Sequence, residues 1–146
     1  MILDKTSTDQ LISTVLSLKP TDKEVIFLMV GEQTKLDYDR LIKTLNQKKI
    51  HFLGAIFPFV FYQKEKTNDG VLIKKFPLHT PPQVIRNFTK NNFQIPSIHL
   101  TSKIKATVFT FVDGLSQNIA SFLRALYNEG GRIDFHNKTL IVSTLH

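Results

Sequence analysis

Apolar positions along this chain switch between two periodicities, and the switches mark the elements. Leu11, Ile12, Val15 and Leu16 recur at the spacing of one helix face. Ser7 and Gln10 form a capping box in front of them, and Pro20 stops the pattern. A short amphipathic helix over 8–19 is predicted. Val25-Ile26-Phe27-Leu28-Met29-Val30 is a continuous apolar run ended by Gly31, as in a strand buried on both faces. Leu36, Leu41, Ile42 and Leu45 predict a second helix over 36–48, with Lys48 and Lys49 suited to the negative end of its dipole.

Residues 50–63 are apolar and aromatic, interrupted by Gly54 and Pro58, so a bulge or turn is expected there instead of one long ladder. Residues 65–70 read as a hairpin loop turning at Asp69-Gly70, with 71–76 as the returning strand. Pro77, Pro81, Pro82 and Pro96 make 77–103 an irregular connector with one short helix over about 82–87. Another apolar strand spans 106–112 and ends at Asp113-Gly114. Ile119, Phe122, Leu123, Leu126 and Tyr127 then follow the stripe of a core-facing helix over 116–129, closed by Gly130-Gly131. Two further strands, 133–135 and 139–143, turn at Asn137-Lys138.

The plan of strand, polar turn, amphipathic helix and strand therefore occurs twice. It predicts an α/β fold, a mixed sheet from two β-α-β-like halves with helices packed on it. The alternative is a two-sheet layered sandwich with outer helices. The length of 146 residues sets one domain, 1–146, with halves 1–76 and 104–146 joined by the connector 77–103. A chain of this size buries roughly 68–70% of its unfolded surface.

The absence of cysteine excludes disulfides, thiolate metal ligands and a cysteine nucleophile, and suits a reducing compartment. The N-terminus lacks the charged-then-apolar pattern of a signal peptide, and no apolar run approaches a membrane span. The sequons at Asn87 and Asn137 are then chance matches.

The net charge of +7, from 19 Lys+Arg against 12 Asp+Glu, would indicate nucleic acid only if clustered. Arg40 and Lys43 share a helix face, while Lys64, Lys66, Lys74 and Lys75 flank the hairpin. The aromatics fall in apolar strands, where they serve the core. A solvated basic surface is the expectation, with no nucleic acid or membrane partner.

His51, His79, His99, His136 and His146 include no His-x-x-x-His pair and no H-E-x-x-H motif. A P-loop, a G-x-G-x-x-G fingerprint and a G-x-S-x-G elbow are also missing. No metal, cofactor or enzymatic activity is predicted. The candidate chemistry is binding. Asp113, Gly114 and Ser116 follow a strand and precede a helix, where free backbone N–H groups receive the acid group of a ligand. The same residue types are preferred helix caps. Glu32 and Gln33 hold the matching turn after the first strand, as ligands for an amine or as a solvated loop. Gly54 permits close backbone approach or a bulge, as a packing glycine does.

Phe109-Thr110-Phe111-Val112-Asp113-Gly114-Leu115-Ser116 carries a resemblance. Taken in order with Phe52-Leu53-Gly54-Ala55-Ile56-Phe57-Pro58 and Asp69-Gly70-Val71, it resembles the FIST sensory domain, named for F-box and intracellular signal transduction proteins. The serial order of the motifs, over most of residues 23–130, carries the likeness; each motif alone is common. Family members are much longer, and the glycine- and alanine-rich stretch after their second helix is shortened here, where Gly130-Gly131-Arg132 leads directly into Ile133. A truncated member is the expectation. The resemblance implies a cytoplasmic signal-input module that binds small ligands, amino acids or their derivatives, with Gly54 in a pocket wall, and passes a change to a downstream signalling protein. Two rivals are a basic nucleic-acid binder and an interaction fragment with no ligand site, the latter self-associating through exposed apolar sheet.

Overall fold

Ser7 opens the first helix in the way its spacing to Gln10 demands. Its Oγ accepts the Gln10 N–H at 3.2 Å, and helix α1 runs Thr8–Ser17. This geometry comes from a computed structural model that describes residues 1–78, 83–84, 109–111, 118–130 and 141–143. Strand β1 (Ile2–Asp4) precedes α1, and strand β2 (Glu24–Gly31) follows it. Helix α2 (Tyr38–Gln47) starts later than its apolar stripe suggests, because the Asp37 carboxylate caps it by accepting the Arg40 N–H at 2.9 Å. At its other end Lys49 N–H donates to Asn46 O and Ile50 N–H to Leu45 O, with Lys49 at φ 55°. This is the Schellman closure, with a lysine where glycine is usual.

Strand β3 (His51–Phe57) lies parallel to β2 in an unbroken register from Val25↔His51 to Gly31↔Phe57. The expected bulge at Gly54 is therefore absent, and Pro58 alone ends the strand. The hairpin also differs from expectation. Strands β4 (Val60–Tyr62) and β5 (Glu65–Thr67) pair around a two-residue turn, Gln63-Lys64, with Gln63 at φ 56°. Strand β6 (Gly70–Pro77) is not its returning arm. It enters the main sheet antiparallel between β1 and β2, giving the order β1-β6-β2-β3.

Residues paired across these strands share a face. Ile26, Leu28 and Val30 of β2 with Val71 and Ile73 of β6 form one face, and Leu11, Val15, Leu41 and Leu45 from the two helices close over it as a single core. The apolar run of β2 is continuous because its other face is apolar too. Val25 is buried there with Leu53, and the Phe27 and Phe76 rings lie 6.2 Å apart.

The chain divides into two compact units, Met1–Leu78 and His79–His146. In the second, strands β7 (Gln83–Val84) and β8 (Phe109–Phe111) flank β9 (Ile141–Ser143), all parallel. Gln83–Val84 being a strand overturns the short helix expected over about 82–87; the rest of the connector lies outside the described residues. Helix α3 (Ile119–Gly130) links β8 to β9, so β8-α3-β9 is a second β-α-β unit after β2-α2-β3. The two units belong to separate sheets. Within the α3 stripe Phe122 is fully buried and Leu123 half exposed. The fold is α/β, with a mixed four-stranded sheet. Among the described residues no helix is long and apolar enough to cross a membrane.

Candidate functional site

The end of β2 shows what its turn can offer a ligand. Thr34 N–H donates to Gly31 O at 2.9 Å and closes a four-residue turn, 31–34. Within it Glu32 N–H donates to Phe57 O at 2.9 Å and Gln33 N–H to Asn68 O at 2.8 Å. Thr34 is buried, and its hydroxyl both accepts the Gly70 N–H at 2.8 Å and donates to Gly70 O at 3.1 Å. The segment Asn68-Asp69-Gly70 is held from its other side by Lys5 N–H on Asp69 O. It lies so close that a Cβ on Gly31 would meet Asn68 O at 2.4 Å.

In open α/β sheets ligands gather at the carboxyl ends of parallel strands, using the N–H groups of such turns and of the following helix. Here both turn donors are already engaged by the chain's own carbonyls. The start of α2 holds Asp37 and Asp39, and Asp37 N–H donates to Thr8 Oγ1 at 2.8 Å. Two carboxylates there oppose an anion. Arg40 forks onto Asp9 beside them, an exposed pair linking the two helices. An acid group has no place at this end. The Glu32 carboxylate is exposed and, among the described residues, has no hydrogen bond or ion pair to its side chain, so it suits only a cation.

Gly54 stands opposite Leu28, where a Cβ would lie 3.0 Å from Leu28 O and 3.2 Å from Leu28 Cβ. That is close strand packing. It sits three residues, about 10 Å, before the end of the ladder, so the structure does not bring Gly54 and Glu32 together. Asp113, Gly114 and Ser116 fall in 112–117, outside the described residues, between β8 and α3 in chain order.

Two ionisable groups are perturbed, Glu24 at the opposite end of β2 and Tyr38 at the start of α2. The Glu24 carboxylate takes the Lys75 ammonium at 2.9 Å and the N–H and hydroxyl of Thr21. These donors, Lys75 foremost, hold its pKa below the ordinary carboxylate range. Burial raises the Tyr38 phenol. Among the described residues no three His, Asp or Glu side chains assemble into a metal-binding group.

Sequence reasoning missed one surface. Phe59 and Phe61 are 42% and 64% exposed, and Lys66 Nζ sits 3.6 Å from the centre of the Phe59 ring and 5.8 Å from that of Phe61. These aromatics therefore do not serve the core. The signal was in the alternation: Val60 points inward with a Phe on either side, and a turn at Gln63-Lys64 sets Phe61 opposite Lys66.

Comparison with protein-family models, with curated proteins and with solved structures finds no match to this chain.

Proposed function

We propose that this chain is a non-catalytic binding module, a sensory input domain of the FIST type that takes a small amino-acid-like ligand and passes a conformational shift to a signalling partner. The observation that carries the proposal is the parallel β8–β9 pair linked through α3. It makes Asp113-Gly114-Leu115-Ser116 the connection from a parallel strand to a helix, the kind of segment that receives ligands in α/β folds. The ordered motifs over residues 23–130 support the same assignment. The engaged donors at Glu32 and Gln33 leave Asp113, Gly114 and Ser116 as the residues for the ligand's acid group.

A thermal-shift screen of the whole chain against amino acids and related metabolites tests this. A ligand at a hundred times its dissociation constant adds about 2.7 kcal/mol of stability. No shift across a broad panel overturns the proposal. With a hit in hand, Asp113→Ala separates binding from capping. Lost binding at unchanged stability marks a ligand contact, and lost stability with intact binding marks a cap.

A further inference from the structure

We propose that the outward face of the β4–β5 hairpin docks single-stranded nucleic acid, a role separate from the sensory one. In the hairpin Val60↔Thr67, Phe61↔Lys66 and Tyr62↔Glu65 are the facing pairs. Side chains alternate between faces along each strand, so Phe61 and Lys66 share one face while Val60, Tyr62, Thr67 and Glu65 share the other. Val60 is fully buried, which fixes the Phe61–Lys66 face as the outer one. Phe59 joins it through its ring contact with Lys66. The hairpin's one carboxylate, Glu65, is thus on the opposite face. The outer face offers two exposed rings and a cation between them, with no acid of the hairpin's own to neutralise it.

Single-stranded nucleic acid matches each part of this surface. Every base has a π-face that stacks on a ring without regard to sequence, and the phosphates between bases meet a cation placed between rings. The chain as a whole contributes in the same direction, with a net charge of +7 that raises the encounter rate with a polyanion. A membrane surface fits less well. The hairpin ends in Gln63-Lys64-Glu65, so its polar tip would meet the headgroups before the rings reached acyl chains.

The test is a fluorescence-anisotropy titration of the whole chain with a short labelled oligothymidylate, at about 50 and about 200 mM salt. Saturable binding that weakens with salt is expected. Phe59→Ala and Phe61→Ala should each weaken it about five- to 150-fold, the range for loss of one stacked base. Phe61→Tyr keeps the ring and should keep the affinity. Lys66→Glu should weaken binding and lower the salt slope by about 0.7. Duplex DNA of like length should compete poorly, since its bases are not free to stack. All four variants are judged only where their melting temperature matches the parent.

No binding at the lower salt overturns the proposal. So does binding that ignores removal of both rings, or equal competition by duplex. Co-sedimentation with phosphatidylserine vesicles that needs Phe59 and Phe61, without oligonucleotide binding, reassigns the face to membranes and also overturns it. The amino-acid thermal shift should be unchanged in Phe59→Ala and Phe61→Ala, so the two proposals fail independently.

Discussion

Gly31→Ala is expected to destabilise the first unit far more than loss of a surface glycine would. The added Cβ would lie 2.4 Å from Asn68 O, 2.6 Å from Asn68 C and 3.1 Å from Asn68 Cα. All three are backbone atoms, so no rotamer change relieves the clash. The loop must retreat by about 1 Å to reach ordinary contact. That retreat loosens the bond from Gln33 N–H to Asn68 O and pulls Gly70 away from the buried Thr34 hydroxyl, which serves both its N–H and its C=O. Overpacking of this kind costs about 1–3 kcal/mol, and each buried polar group left unsatisfied costs a further 1–3, roughly. With part of the loop relaxing into water, the expected loss is about 2–4 kcal/mol.

Urea unfolding followed by far-ultraviolet circular dichroism measures it. With a slope of about 2 kcal/mol per molar urea, the middle of the usual range, the midpoint should fall by about 1–2 M at unchanged slope. Gly54→Ala is the internal comparison. Its Cβ would stand 3.0 Å from Leu28 O and 3.2 Å from the Leu28 Cβ, a squeeze of a few tenths of an ångström costing about 1 kcal/mol. A Gly31→Ala midpoint equal to the parent's, or a larger loss for Gly54→Ala, would refute the claim that Asn68-Asp69-Gly70 is locked against the end of β2.

Lys49→Gly should stabilise the protein by a few tenths to about 1 kcal/mol, because Lys49 holds a left-handed conformation (φ 55°) that glycine adopts without steric strain; the melting temperature should rise, and a fall would show that the lysine side chain contributes more than its backbone strain costs. Glu24→Gln should flatten the acid limb of the stability–pH curve. The folded Glu24 pKa is depressed, so its ion pair with Lys75 contributes above the unfolded carboxylate pKa and is lost as pH falls through the folded value. Melting curves from neutral pH down through the carboxylate range check this, and an identical acid limb in both proteins would count against it.

Local elements were legible because their causes are local. The α1 stripe, its Ser7 cap and its stop before Pro20 depend on residues within a few positions of one another, and each is found where the spacing puts it. The continuous apolar run of β2 likewise announced a strand with apolar neighbours on both faces. Glycine was where such reasoning failed. Gly70 follows Asp69 and reads as a turn, yet it has no positive φ; its need for glycine is the passing backbone of Leu3, whose carbonyl would lie 2.8 Å from an added Cβ. The turn falls instead at Gln63-Lys64, where no glycine marks it. That one displacement hid the pairing of Phe61 with Lys66 and led the exposed aromatics to be counted as core.

The candidate site divides in the same way. Residue types suggested two similar strand-to-helix turns, at Glu32-Gln33 and at Asp113-Gly114, because each follows an apolar strand and precedes an amphipathic stripe. Which donors are free in the first turn depends on Phe57 and Asn68, far along the chain, and on β6 turning back beside β2. By itself the sequence determined the helices, the β2 strand and the repeated β-α-β plan, since periodicity and capping act over a turn or two of chain. Only the tertiary structure decided the insertion of β6 between β1 and β2, the closure of the Glu32 turn and the outward face of the β4–β5 hairpin. Those follow from which distant backbone groups satisfy one another, and a buried N–H accepts whichever carbonyl the packing of the whole sheet brings within reach.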